Sequence, residues 1–181
     1  MRRVFLTICV MISTLTINAQ FYIGGSIGLG FVKQYGDETE TTFKIIPEVG
    51  YRINDNWAVG LAFGYKKGSC LIGKGYYNQN VKSKAIGIQP YVRYIPFHIS
   101  IIDIFVDGCF TYEKIIDEGE NINIGLRPGL SIKPIKNLSI VTHIGFLGAE
   151  IYSPKDGGSK NGTAGIDIDA SDLTLGLFYN F

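Results

Sequence analysis

Eight segments in which apolar and polar residues alternate cover most of the chain after residue 20, and they restrict its fold more than any other feature. The segments are 21–33, 42–53, 57–67, 84–94, 101–114, 121–132, 138–151 and 172–181. A β-strand points successive side chains to opposite faces, so a repeat of two residues predicts a strand with one apolar face. The chain is therefore predicted to be all-β, with eight antiparallel strands.

The connections between these segments alternate in length. The short ones are 54–56, 95–100 and 133–137, the longer polar ones are 34–41, 68–83 and 152–171, and 115–120 is intermediate. Short turns at one end and long loops at the other are typical of transmembrane β-barrels, whose tilted strands need about 10 residues to cross the bilayer. The pattern predicts an eight-stranded up-and-down transmembrane barrel with both chain ends at the short-turn end.

The first twenty residues have the composition of an export signal. Two arginines precede an apolar run over 4–17, and small or polar residues come after it up to Gln20. That order is typical of a cleavable secretory signal peptide, and the run is shorter than the ~20 residues that a spanning helix needs. We therefore predict a signal peptide over 1–19 and one barrel domain over 20–181.

Charge and cysteine content narrow the class of protein further. Taking Arg2 and Arg3 from the 17 basic residues leaves 15 against 16 acidic ones, so no nucleic-acid partner is expected. Only Cys70 and Cys109 remain after the signal peptide, too few for a disulfide scaffold, and we expect free thiols. No cofactor and no metal ion are expected.

The two faces of the predicted strands differ in side-chain size. Bulky apolar residues occupy one face, among them Phe21, Ile23, Phe43, Ile45, Trp57, Phe63, Ile86, Val92, Ile104, Phe110, Ile124, Ile140 and Phe146. Small or charged residues occupy the other, among them Gly24, Ser26, Gly50, Ala58, Gly60 and Ala62. A soluble barrel with its apolar face inside is the alternative, but an eight-stranded lumen is only just wide enough for side chains to fill it. The size of the bulky set favours an apolar outer face against lipid.

The last strand ends in a pattern of its own. One face carries alternate apolar residues and finishes on an aromatic: Leu173, Leu175, Leu177, Tyr179 and Phe181. A buried last strand of a soluble β protein would alternate in the same way. With the export signal, the strand count and the loop pattern, however, the chain resembles the small Gram-negative outer-membrane β-barrel family, which includes the OmpA transmembrane domain and OmpX.

That resemblance implies a location and partners. It places the chain in the bacterial outer membrane, with outer-membrane lipid and the barrel assembly machinery as partners and the last strand as the assembly signal. We expect a monomer.

Polar and charged side chains on the small-residue face predict a network inside the lumen: Lys44, Glu48, Arg52, Gln89, Arg93, Asp103, Asp107, Arg127 and His143. Charges in a narrow lumen are costly to desolvate and are expected to be paired. We therefore predict a plugged barrel with little or no conductance.

Turn positions predict which of these residues meet. A turn centred near His98 would put Arg93 opposite Asp103 and Gln89 opposite Asp107. The next hairpin, centred near Asp117, would put Arg127 opposite Asp107.

Three prolines conflict with regular pairing of the predicted strands. Pro47, Pro90 and Pro128 lie in a weakly repeated element on three of the segments. Because proline forfeits a donor to the sheet, we expect local bulges at these positions.

Three small constellations suggest chemistry, and each has a simpler explanation. His98 and Ser100 resemble the His-x-Ser pair of a lipid A deacylase, but they fall in a predicted periplasmic turn, away from the outer leaflet. His143 is better explained as a hydrogen-bonded lumen residue. The carboxylates of 167–172 lack the glycine turn and final Glu of a calcium loop.

The interpretation that these patterns favour is a non-enzymatic scaffold whose exposed loops carry the function. Loops held on a rigid frame commonly carry binding residues. The loops are 68–83, where Lys74, Tyr76 and Tyr77 suit surface binding, and 152–171. The alternatives are a small porin-like channel for ions or solutes and a lipid-modifying outer-membrane enzyme.

Overall fold

Antiparallel strands make up nearly all of the chain that the structure describes. The computed structural model describes residues 21–32, 40–67, 84–155, 157–167 and 174–181. Its strands are β1 (Phe21–Val32), β2 (Glu40–Arg52), β3 (Trp57–Lys67), β4 (Lys84–Ile99), β5 (Ile102–Ile115), β6 (Gly119–Ile135), β7 (Leu138–His143), β8 (Phe146–Pro154), β9 (Asn161–Asp167) and β10 (Thr174–Asn180).

The ten strands close into a barrel with eight strand positions. Neighbours pair in chain order from β1 to β6, and β6 pairs with both β7 and β8. β7 and β8 are one barrel strand interrupted at residues 144–145, and β9 and β10 together supply the eighth. β10 pairs with β7 and with β1, which completes the circle. The predicted eight-stranded antiparallel barrel is confirmed.

One predicted loop is wrong. The segment 152–171 was expected to lack strands, but β8 continues to Pro154 and β9 pairs with it from Tyr152↔Asn161 to Phe146↔Asp167. The sequence of β9 is polar and glycine-rich and shows no apolar alternation. Both of its faces are exposed where described, so neither face needs apolar residues. The connection from β8 to β9 is 155–160.

A bulge interrupts the seventh barrel strand. Ile144 donates its backbone N–H to Pro128 (2.9 Å), and Gly145 adopts φ 76°. Glycine suits this conformation because it has no Cβ. The extra residue reverses the face of the residues after it, so the ring of Phe146 lies against Gly125 on the inner side, not on the predicted lipid face.

Bulges explain only one of the three prolines on the predicted strands. Pro128 lies opposite the bulge at 144–145, as expected. Pro47 and Pro90 instead sit in strands whose registers continue unchanged past them, Pro47 opposite Gly25 and Pro90 opposite Leu61. The expectation of a bulge at these two positions is wrong.

A second bulge sets the register of β4 and β5. The pairing shifts by one residue between Tyr94 and Phe97, and the turn falls at Ser100, whose φ is 55°. Asn56 anchors the shift through hydrogen bonds to both backbone groups of Ile95, each 2.8 Å. The turn predicted over 95–100 is therefore mostly strand.

The apolar face points outward, as predicted. Ile27, Phe97 and Ile124 are 71%, 60% and 62% exposed, whereas Ala58 and Ala62 are buried in the lumen. Among the described residues, no helix is long and apolar enough to cross a membrane. The short turns 53–56, 100–101 and 136–137 mark one end, here called the inner rim, where Phe181 also bonds the backbone of Phe21. Short turns face the periplasm in transmembrane barrels.

Candidate functional site

A buried carboxylate organises the middle of the lumen. Asp107 on β5 is fully buried and accepts two hydrogen bonds from Arg93 on β4, from Nε (2.7 Å) and Nη2 (2.9 Å). His143 Nε2 on β7 lies 2.9 Å from the second carboxylate oxygen, and Arg127 Nη2 on β6 lies 3.5 Å from it. These four residues, the central cluster, join four strands of the barrel wall.

The cluster follows directly from strand register. Arg93 and Arg127 both lie opposite Asp107 on the two flanking strands, so the carboxylate stands between two guanidinium groups. Glu48 on β2 is also buried on the inner face of the wall.

An aromatic layer continues the cluster across the lumen. The guanidinium of Arg93 lies 3.8 Å from the centre of the Phe105 ring, a cation–π contact, and Phe105 meets His143 edge to face. The hydroxyl groups of Tyr22 and Tyr91 are hydrogen-bonded at 3.0 Å. Because β1 and β4 are not neighbours in the wall, this tyrosine bridge crosses the interior.

Two glycines leave room for the bridge. A Cβ at Gly50 would collide with the ring of Tyr22, and one at Gly60 would collide with the ring of Tyr91. The two tyrosine rings therefore lie against the inner face of the wall at glycine positions, where no side chain occupies the space. Glycines on the inner face therefore position the bridge as well as relieving crowding.

A second cluster lies near the inner rim. Asp103 pairs with Lys133, lies 2.8 Å from His98 Nδ1 and 3.7 Å from Arg52 Nη2. His98 is directly opposite Asp103 in the register, so the predicted pairing of Arg93 with Asp103 is wrong. The later turn and the bulge together move the position opposite Arg93 by four residues along β5, from Asp103 to Asp107.

The outer half of the lumen holds a third group of polar contacts. Lys66 forms an ion pair with Glu113, and Asn121 donates to Glu150 (2.6 Å). Lys44 is buried opposite Lys66.

Gln89 belongs to this outer group rather than to the central cluster. It donates to Thr111 (2.6 Å) and does not meet Asp107 as predicted, because the same bulge and turn shift its partner along β5. The predicted opposition of Arg127 and Asp107 is present.

All nine predicted lumen residues lie on the inner face, but in three groups rather than one network. Several other predicted positions fall outside the described residues: Lys74, Tyr76, Tyr77, Cys70, Leu173, Asp169, Asp172 and the segment 1–19. Leu175, Leu177, Tyr179 and Phe181 are exposed on the outer face. Cys109 is a free, buried cysteine.

The His98 and Ser100 pair has part of a catalytic arrangement. Asp103 orients the His98 ring, but within the described residues no hydrogen bond joins Ser100 to it. Asp103 is also held by Lys133 and Arg52, so its charge is already compensated.

Sequence reasoning missed the inward aromatic residues. Tyr22, Tyr91, Phe105 and Phe178 are all buried inside a face that was described as small or charged. Strict alternation could have found them, because Tyr91 and Phe105 each stand two residues from a predicted lumen charge. It could not have shown that Tyr22 and Tyr91 meet, since their strands are not adjacent.

No protein-family model matches the chain, and no curated protein matches it. Its fold is similar to that of Neisserial surface protein A (NspA), with a TM-score of 0.55 at 16% identity over 90% of this chain and 98% of that one. Two further structures are similar at 12% identity. They are a major outer membrane protein from Thermus thermophilus (TM-score 0.45, 89% of this chain and 99% of that one) and the E. coli outer membrane protein W (0.46, 90% and 98%).

The likeness to NspA is evidence for the fold, a closed eight-stranded antiparallel β-barrel. The exposed apolar outer face fits the lipid-facing band of such barrels. The fold and the direction of its apolar face are those that the sequence predicted for an outer-membrane β-barrel.

Proposed function

We propose that the protein is a non-enzymatic, monomeric scaffold with a closed interior, whose outer connections bind ligands at the cell surface. The main support for a closed interior is the tyrosine bridge. It joins Tyr22 on β1 to Tyr91 on β4 across the lumen at the level of the central cluster. The bridge and the cluster together tie non-adjacent parts of the wall.

The chemistry of the cluster supports a plug rather than an ion path. An ion would have to pass Asp107, whose two carboxylate oxygens already contact Arg93, Arg127 and His143. Conduction requires sites that bind ions weakly enough to release them. A carboxylate held by a bidentate guanidinium is a poor exchange site, because such hydrogen bonds are strong and directional.

Single-channel conductance in a planar bilayer tests the closed interior. We expect no discrete openings from folded, inserted wild-type protein, with a heated, unfolded sample as control. The triple variant Tyr22→Ala, Tyr91→Ala, Arg93→Ala removes the bridge together with the bidentate partner of Asp107 and should conduct. Tyr94→Ala, which removes an outward aromatic residue, should stay silent. Reproducible openings from the wild type would instead identify a channel for ions or small solutes.

Surface binding is tested separately. The connection 68–83 carries Lys74, Tyr76 and Tyr77, aromatic and basic groups that the sequence predicts to suit surface binding. Deleting residues 73–80 should reduce binding of whole cells to host matrix, phage or neighbouring cells. Unchanged binding to all three would remove this part of the proposal.

The non-enzymatic part also has a direct test. Cells that overproduce the protein should keep unaltered lipid A. Because Asp103 orients His98, a change in lipid A that disappears in His98→Ala would identify a lipid-modifying enzyme instead.

A further inference from the structure

Three lysines form a row on the outer surface of the barrel. Lys67 on β3 lies directly opposite Lys84 on β4, and Lys114 on β5 lies opposite Ile86, one diagonal step from Lys84. All three side chains are exposed. Directly opposed Cβ atoms are about 5 Å apart and diagonal ones about 7–8 Å apart. The three ammonium groups of this lysine row can therefore converge on one ligand.

The lysine row stands at the edge of the apolar band. Two residues nearer the barrel centre, the same outward face carries Tyr65, Ile86 and Tyr112. Two residues of strand span about 7 Å. Since aromatic girdles mark the membrane interface in such barrels, the row lies at the depth of lipid headgroups, at the end opposite the inner rim.

Three other lysines of the described chain have carboxylate partners. Lys66 pairs with Glu113 inside the lumen, Lys133 with Asp103, and Lys155 with Asp117. Each has a carboxylate within ion-pair distance.

The row differs in this respect. Within the described part of the chain, no ion pair involves Lys67, Lys84 or Lys114. Glu120 lies directly opposite Lys114 in the register, but no ion pair joins the two side chains. Three cations against one carboxylate leave a net positive surface, and like charges directly opposite each other are destabilising.

We propose that the lysine row binds phosphate groups of outer-leaflet lipids. Ammonium groups bind phosphate as compact point charges with three rotatable donors. The bound phosphate offsets the repulsion between Lys67 and Lys84. The apolar surface of Tyr65 and Ile86 below it receives the acyl chains of the same lipid, which a free phosphate ion would not use. This surface is independent of the closed interior and of the outer connections.

The preference of the folded protein for a phosphate-bearing lipid tests the proposal. The full mature chain is reconstituted in phosphatidylcholine vesicles, and its association with spin-labelled phosphatidic acid is compared with that of spin-labelled phosphatidylcholine. Each lysine near an anionic lipid surface is worth about fivefold in association. The triple variant K67Q/K84Q/K114Q should therefore lose at least fivefold of the preference for phosphatidic acid.

Two control variants separate position from total charge. Arginine at the three positions should retain the preference. K155Q/K160Q removes two exposed lysines of the connection between β8 and β9 and should also retain it. Heat-modifiable electrophoretic mobility shows that each variant is folded.

Three results would overturn the proposal. The first is an unchanged preference in the folded triple glutamine variant. The second is an equal loss in K155Q/K160Q, which would show a general charge effect. The third is loss of the wild-type preference on adding inorganic phosphate at constant ionic strength, which would identify a free-phosphate site instead.

Discussion

Replacing Asp107 by alanine should destabilise the barrel more than any exposed charge change. The carboxylate is fully buried and touches Arg93 twice, His143 once and Arg127 at longer range. Alanine removes the carboxylate that all three partners contact. The two guanidinium groups then face each other across the space it leaves.

The size of the effect depends on how well each arginine can recover water. The Arg93 side chain is 8% exposed and that of Arg127 is 15% exposed, so neither is freely hydrated. Removing one partner of a buried ion pair typically costs about 3–5 kcal/mol because an unpaired buried charge remains. Because Arg127 is partly hydrated, its unpaired charge costs less than a fully buried one. We therefore expect a loss at the lower end of this range, about 3 kcal/mol of unfolding free energy.

Equilibrium unfolding in denaturant, with the protein reconstituted in lipid vesicles, measures this loss. Asp117→Asn is the matched control, because the carboxylate of Asp117 is 85% exposed in a surface pair with Lys155 and asparagine tolerates the φ of 69° at this turn. That variant should unfold with the wild type, since exposed ion pairs contribute little. Asp107→Ala unfolding at the wild-type denaturant concentration would refute the pairing argument.

A double-mutant cycle adds a second check. Asp107→Leu and Arg93→Met together should cost less than the sum of the single changes, because the pair is then replaced by apolar groups. Additive losses would show that the two side chains are not coupled.

The remaining predictions concern the wall and the last strand. Gly60→Leu should destabilise the barrel by about 1–3 kcal/mol in the same unfolding assay because the inner face has no space there, whereas Gly165→Ala, in open space, should be neutral. With Cys70 replaced by serine, the buried Cys109 should react with maleimide only after unfolding; fast labelling of the folded protein would contradict its burial. Phe181→Ala should lower the amount assembled in cells but not refolding in detergent, and equal loss in both would argue against an assembly signal.

The sequence predicted the barrel because its strongest signals are local. Alternation along each strand depends only on the opposite directions of neighbouring side chains, so the lipid face from Phe21 to Phe110 could be assigned without tertiary information. The signal failed at β9, whose residues 161–166 are exposed on both faces and therefore do not alternate. It also failed at Phe146, because a one-residue bulge reversed the face.

The lumen was predicted as a set of residues but only partly as a set of contacts. Arg127 met Asp107 because the hairpin between them is regular, and its centre near Asp117 could be read from the chain. Arg93 and Gln89 were misplaced because the turn falls at Ser100, beyond its predicted centre near His98. The later turn alone would place Gly108 opposite Arg93, and the bulge beside Pro96 moves the partner back by one residue, to Asp107.

The sequence alone determined the class of fold, the direction of its apolar face and which charges enter the lumen, because each depends on neighbouring residues in one strand. Tertiary structure decided which charges pair, through the position of the turn between β4 and β5 and the one-residue bulge beside it. It also decided the tyrosine bridge, because Tyr22 and Tyr91 are 69 residues apart on strands that meet only across the closed barrel.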